Sequence, residues 1–561
     1  AELEHYYAEL TARPLDEATA PAWLADWSRL ARFVGEVQAR LSVARTRDTT
    51  DTAAEARYLR FVETVRPAVE AADQALKQKL LASGLEPSGL DLPLRKLRTQ
   101  ADLFREANLP LMAQTSKLGT QYDKLTGAQT VTWEGETVSL ARLQKVLQEG
   151  DRSRREQAWR LARARQLEDR SGLNDLWREL LALRGRIAAN AGLASYRDFA
   201  WRANLRFDYS PADCARFHDA IAEVVVPAAS RVYDRHRARL GQAALRPWDL
   251  TDGLFARPAD PPGTTPLSPF ADGQTLLDRG GAMLARVDPQ FGAYFGTMRR
   301  EDLLDVENRP GKAPGGYCTS YATARRPFIF MNAVGLHRDV QTLLHEAGHA
   351  FHVFEKADLP YHIQAATPME FNEVASMAME LLAAPYLAEG EGGFYSPPDA
   401  ARARIEHLED TLLFWPYMAV VDAFQHWVYT HAGEAADPAR CDATWRELFA
   451  RFIPGIDWSG LDAELETGWQ RKLHIFQAPF YYIEYGLASL GAVQVWAGAL
   501  TDPAGAVARY RQALALGGTV SLPDLFTAAG ARFALDAEAL GEAVALIETT
   551  VAALEPVTGA T

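Results

Sequence analysis

Cysteine is scarce: Cys214, Cys318 and Cys441 are the only thiols in 561 residues, each more than a hundred residues from the next. An odd count at that spacing excludes a disulfide framework, fits a reducing compartment and reads as three free, buried thiols. Positive charge is in deficit as well. With 59 Lys and Arg against 73 Asp and Glu, the formal net charge is −14, a field that repels phosphate backbones and anionic membranes, so nucleic acid and lipid surfaces are excluded as partners. The first ten residues carry acids and tyrosines where a secretory signal needs a basic end and an apolar run, and the chain reads as cytoplasmic. Compositional bias is missing too. With 39 Gly, 30 Pro, 48% apolar and 24% charged residues, collagen-like and disordered classes are out, and the chain is long enough for two or more folded units.

Long uncharged runs are nearly absent, the exception being Phe476 to Leu500, where Glu484 is the single formal charge. Glu484, Gln477, Gln494 and the tyrosines are costly in lipid and no basic flank follows, so this run reads as a buried helix beside a functional cavity. No fixed-period repeat suggests a solenoid. What is present is helical periodicity: Trp23, Trp27, Leu30, Val34, Val37 and Leu41 form one stripe, and Val62, Val65, Val69, Ala72 and Leu76 another. Strands are few. Thr130 to Trp133 and Thr137 to Val138, joined through Glu134, Gly135 and Glu136, predict a hairpin, and Leu303 to Asn332 predicts a second β region. Between them, Pro247 to Pro269 reads as a loop or hinge.

The chemistry is concentrated in Leu343-Leu344-His345-Glu346-Ala347-Gly348-His349-Ala350-Phe351-His352. On a helix, residues four apart share a face, so His345 and His349 can hold one metal ion, with Glu346 next to the first of them as a base. A catalytic zinc takes a third protein ligand, and Glu355, Glu370, Glu373 and Glu380 compete for that place. An unbroken helix carries Glu355 about 15 Å along the axis from His345, out of reach, which leaves it a solvated side chain. Thr367-Pro368-Met369-Glu370 resembles a helix start and gives Glu370 a capping role. Glu373 and Glu380 lie seven apart on one face of that helix among apolar residues. Glu373 is therefore read as the third ligand and Glu380 as the carboxylate that orients a histidine, the alternative being two acids on a solvated stripe. His352 lies off the shared face and is a neighbour of the site. A phosphate-loop reading of Gly311-Lys312 fails, because Val306 and Ala313 stand where that motif needs Gly and Ser or Thr.

These residues resemble the thimet oligopeptidase family of zinc peptidases, and more closely its oligoendopeptidase F branch. The resemblance rests on the His345 to His352 block, on Phe371-Asn372-Glu373-Val374-Ala375-Ser376 placing Glu373 28 residues after His345, and on two flanking blocks. Arg309 to Cys318 with Arg326 to Asn332 is similar to the strand region before the family's zinc helix. His474-Ile475-Phe476 with Pro479 to Gly486 is similar to its C-terminal catalytic block. The family implies a mainly α-helical, two-lobed ellipsoid with a small β element near the metal and a deep channel, divided here into an N-terminal lobe (1–145) and a catalytic region (146–561). It implies one zinc on His345, His349 and Glu373, Glu346 as general base, and His474, Tyr482 and Tyr485 as donors to the oxyanion. Without the family, those tyrosines read as packing, and Tyr481 keeps that reading. Gly315, Gly316 and Tyr317 are implied to line the substrate, although Gly315-Gly316 reads equally as a simple turn. The implied activity is cleavage of internal bonds in short unfolded peptides. C-terminal exopeptidases of the same clan and a peptide-binding protein with structural zinc remain alternatives, and the oligomeric state, monomer or homodimer, is left open.

Overall fold

Three-and-four spacing of apolar residues puts most of the chain into helices in the computed structural model, which describes residues 2–559. The first stripe lies on one helix, α1 (Ala20–Arg47). Its Trp23, Leu24 and Trp27 pack with Tyr7, Leu76 and Leu94 in a small core of their own, whereas Leu111, Leu118 and Tyr122 already join the main core. The second stripe is interrupted. A π-turn, Phe61–Val65, precedes α2 (Arg66–Ala82) because Pro67 has no N–H to continue the ladder, and the Arg66 N–H donates five residues back to Phe61. The hairpin forms as expected, β1 (Thr130–Trp133) against β2 (Glu136–Ser139), turned by Glu134 and Gly135 at φ 52° and 86°.

The Pro-rich run from 247 is a loop apart from one short turn, but its start is pinned rather than hinged. Asp249, fully buried, accepts from Arg152 at 2.7 and 2.9 Å, and Arg155 donates to the Trp248 carbonyl at 3.0 Å.

The second β region is a three-stranded sheet in the order β3 (Leu304–Glu307), β5 (Arg326–Ala333), β4 (Tyr317–Tyr321). β5 runs parallel to β3 and antiparallel to β4, with Tyr317 opposite Phe330. Its continuous apolar stretch from Pro327 to Met331 is buried on both faces, one of them under α4 (His337–Glu355). The Asp339 carboxylate accepts from the N–H groups of Val334 and Leu336 at 2.7 and 2.9 Å and so fixes the strand-to-helix turn. Four further helices complete the core around α4: α5 (Met369–Ala383), α6 (Pro397–Thr430), α7 (Leu473–Gln477) and α8 (Tyr482–Thr501), while α3 (Pro211–Ala220) packs on α6. Thirteen of the 20 residues of α8 are buried, and Glu484 among them accepts from Arg206 at 2.6 Å. Among the described residues no helix is long and apolar enough to cross a membrane. Cys214 and Cys441 are buried as expected; Cys318, on the edge strand β4, is only half-buried.

Asp305 on β3 ties the sheet to α1. It accepts from Arg47 at 2.9 Å, from Arg309 at 2.6 Å and from Lys312 at 2.8 Å. Burial opposes its ionisation, but Arg309 and Lys312 outweigh burial and hold the carboxyl down at about 2, from 3.8. A depressed carboxyl stabilises the fold above its unfolded-state pKa and ceases to do so as pH falls through the folded-state one. Asp305→Asn should therefore lower thermal stability at neutral pH by about 1–2 kcal/mol, after allowance for water around Arg47 and Arg309, and the gap to wild type should close between about pH 4 and pH 2. Parallel melting curves across that range check it; a gap independent of pH contradicts the ionic role.

Candidate active site

Two helices that touch backbone to backbone build the site. Where α4 crosses α5, a Cβ on Gly348 would lie 2.3 Å from the Ala375 carbonyl oxygen and 2.7 Å from the Ser376 Cα, so only glycine permits the approach. His345 and His349, one turn apart on α4, then face Glu373 on α5. Nε2 of His345 is 3.6 Å and Nε2 of His349 3.7 Å from the same Glu373 oxygen, Oε2, and the three donor atoms lie within 4.8 Å of one another. Two donors about 2.1 Å from one zinc at a tetrahedral angle lie about 3.4 Å apart, so nitrogen, nitrogen and oxygen at these separations fit a zinc ion with one position open.

Two of the three, His345 and Glu373, are held from behind. His345 donates from Nδ1 to Glu380 at 2.7 Å, which leaves Nε2 free toward the centre, and His407 Nδ1 is 3.6 Å from the other Glu380 oxygen. Glu373 accepts from Ser376 at 3.1 Å and from the Tyr481 hydroxyl at 3.2 Å. Glu346 is buried and its Oε2 has no hydrogen-bond partner. Burial pushes its carboxyl up to about 7, with Glu373 and Glu380 adding to the rise and His345 and the Cys318 amide opposing it. At His345 burial works against charge, but Glu380, Glu373 and Glu346 override it and raise the imidazole to about 9; His349, buried beside it, is pushed down to about 3. Three carboxylates thus surround two imidazoles, an arrangement that a divalent cation balances.

A wall of aromatic side chains flanks the group. His474 on α7 meets the Tyr482 ring on α8 at 4.9 Å, and Tyr485 lies 5.0 Å from Tyr481. Phe480, at φ 66°, turns the chain so that Tyr481 points to Glu373. Tyr482 is the buried member, 5% exposed, packed on Phe414 and Tyr417 with the Lys472 ammonium 4.3 Å over its ring. Burial and Glu373 raise the Tyr485 phenol to about 12, and burial with Lys472 lowers His474 to about 4, so at neutral pH both are uncharged donors.

Gly315 and Gly316 are exposed at the start of β4. Gly315, at φ 95°, has open space where a Cβ would sit, and its carbonyl accepts from Asn332 at 2.8 Å. Tyr317 stacks on Phe330, and its hydroxyl is engaged by Thr46 of α1 at 2.6 Å. His352, contrary to expectation, follows His345 and His349 at i+7 on the same face of α4, two turns beyond His345, and is buried with its Nε2 3.3 Å from the Thr367 hydroxyl. Two acids differ from expectation. Glu355 is not solvated: it accepts from Arg511 at 2.6 Å and from Tyr294 at 3.3 Å. Glu370 caps nothing, because α5 begins one residue later than the Thr-Pro pattern predicts, and the side chain is buried on the Tyr209 hydroxyl at 2.6 Å, near Arg206.

A model of peptidase family M3 matches residues 146–544. The chain belongs to that family. Among curated proteins, this M3 peptidase is 25% identical over 246 residues to oligopeptidase PepF of Bacillus subtilis (strain 168), a match that spans 43% of this chain and 36% of that one. The structure of Pz peptidase A with an inhibitor superposes with a TM-score of 0.88 at 26% identity, over 99% of this chain and 98% of that one. A structure of oligoendopeptidase F does so with a TM-score of 0.88 at 28% identity, over 99% and 97%. The chain is a metallopeptidase similar to oligopeptidase F, mainly helical with a small β element, and its family implies zinc.

Reading the residues alone missed four contributors: Gly348, Ser376, His407 and Tyr481. Gly348 was the most legible, a glycine inside an otherwise apolar helix, which signals close packing. Gly348→Ala in this M3 peptidase should push α5 away, lower stability by about 1–3 kcal/mol and weaken zinc binding on the order of ten- to a hundred-fold. Chelator competition with a melting curve checks this; unchanged zinc affinity separates the crossing from the site.

Proposed function

We propose that this M3 peptidase hydrolyses internal bonds of short, unfolded peptides, with one zinc ion on His345, His349 and Glu373. The observation that most directly supports this is the convergence of those three donors beside a buried carboxylate, Glu346, whose pKa of about 7 suits a general base. Zinc bound there supplies Lewis acidity, enough in such sites to bring the pKa of water from 15.7 to about 7. Glu346 takes the proton from the attacking water and passes it to the leaving amine. His474 and Tyr485, both neutral, donate hydrogen bonds to the oxygen of the tetrahedral intermediate, and Tyr482 reaches the same wall from its buried position. Glu380 keeps His345 in the tautomer that presents Nε2, and Tyr481 with Ser376 orients Glu373.

Around this centre the reading places residues 1–145 as an N-terminal lobe and 146–561 as the catalytic region, facing each other across a channel that admits extended peptides and excludes folded proteins. The small core that includes Tyr7, Trp23 and Leu94 supports such a lobe over its first hundred residues, although Ile363 packs into it and Leu103, Leu111, Leu118 and Tyr122 belong to the main core. Tyr317, the first residue of β4, and Gly315 and Gly316 just ahead of it supply backbone to a peptide laid alongside, since among the described residues no further strand pairs with the outer edge of β4. The enzyme is read as acting on cytoplasmic peptides.

Mass spectrometry of a mixture of peptides of about 5 to 30 residues, with and without a chelator, tests the activity. Chelator-sensitive internal cuts are expected. Loss of C-terminal residues alone moves the protein to an exopeptidase, and no cleavage by zinc-loaded protein removes the catalytic reading. For the residue roles, Glu346→Gln should keep zinc and lose turnover by about 10²–10⁴, and Tyr485→Phe should bind peptide but turn over about 10²–10³ more slowly. Glu373→Ala should lose zinc; a zinc-replete, active Glu373→Ala protein overturns the assignment.

A further inference from the structure

A second group of metal-binding side chains lies where α3 packs on α6. Cys214 and His218 are one turn apart on α3, and Asp422 and His426 are one turn apart on α6, the same spacing that brings His345 and His349 onto one face. The Cys214 sulfur, an Asp422 oxygen and a His426 ring nitrogen lie within 4.8 Å of one another. Cys214 and Asp422 are completely buried.

The hydrogen bonding of this group is incomplete. His218 Nε2 bonds to Asp422 Oδ2 at 2.9 Å, but Asp422 Oδ1 is buried with no hydrogen-bond partner. His426 Nε2 sits 3.3 Å from Asp422 Oδ2 without the alignment of a hydrogen bond, and it too is buried and unpartnered. A buried carboxylate oxygen and a ring nitrogen left so are desolvated without a compensating hydrogen bond. The 3.3 Å between His426 Nε2 and Asp422 Oδ2 is close to the roughly 3.4 Å expected of two donors sharing one tetrahedral ion.

We propose that Cys214, Asp422 and His426 bind a second metal ion, a divalent transition metal of zinc's type, with His218 as the outer partner that orients Asp422. Thiolate, carboxylate and imidazole together suit zinc and its neighbours rather than calcium or magnesium. On binding, the Cys214 S–H proton leaves to solvent and a metal–sulfur bond forms, so thiolate and carboxylate together cancel the ion's two positive charges. The site is enclosed, and its role is to fasten α3 to α6. The His426 ring lies 5.2 Å from that of Phe480, and the Phe480 N–H donates to Gln425 at 2.7 Å. The second ion therefore braces the segment that carries Tyr481 and Tyr482.

Metal content of the full chain, produced in zinc-supplemented cells and counted by mass spectrometry, tests this without reference to activity. Wild type should hold two ions per chain, Cys214→Ser one, and the double variant His349→Ala/Glu373→Ala one. Cobalt(II) carried by that double variant should give a thiolate-to-cobalt charge-transfer band, which the sulfur-free first site cannot produce. One ion in wild type that Cys214→Ser retains, or none in the folded double variant, overturns the proposal, and the second of these stands even if Cys214→Ser fails to fold.

Discussion

The site of this peptidase depends on how closely two helices can approach. With no side chain at Gly348, α4 and α5 meet backbone to backbone, and the separation left across the crossing is the one that lets two imidazoles on one helix and a carboxylate on the other share an ion. The sheet supports the same contact from the far side. β5 is buried under α4, and Asp339 fixes the turn between them, so α4 is pressed onto α5 and held in register with it. Precision here comes from rigid elements rather than loops, which suits a centre whose geometry tolerates little drift.

Electrostatics follow from that packing. Glu346, Glu373 and Glu380 are brought together in a poorly solvated space, where burial lifts the carboxyl at 346 to about 7 and the carboxylates hold the imidazole at 345 above its ordinary range. The negative charge gathered there favours a divalent cation and adds to the rise that burial produces at Glu346. Glu484 meets the same problem differently: on the most apolar helix of the chain, one of its oxygens accepts from the Arg206 guanidinium at 2.6 Å.

The residue pattern made much of this legible. The stripe from Trp23 to Leu41, the hairpin from Thr130 and the β region before His337 form where the periodicity placed them, because local spacing dictates local structure. The paired histidines with Glu346 were visible for the same reason, since a helix converts a spacing of four into a shared face. Harder to see were features set by a partner distant in the chain. Glu355 looked solvated because Arg511 and Tyr294 are far from it in sequence, and Glu370 looked like a cap because Tyr209 and Arg206 are. Tyr481 looked like packing, since nothing near it in sequence announces the Phe480 backbone turn or the Glu373 oxygen it meets.

By itself, then, the sequence determined the helical class, the position of the β elements, the acidic balance and the residue types able to hold zinc, all consequences of composition and of spacing within a turn or two. Tertiary structure decided which oxygen faces which nitrogen. Glu373 meets His345 and His349, Ser376 and Tyr481 support Glu373, and Cys214 meets His426 across two helices, because each contact depends on the angle and distance at which whole helices cross, and no local spacing encodes those.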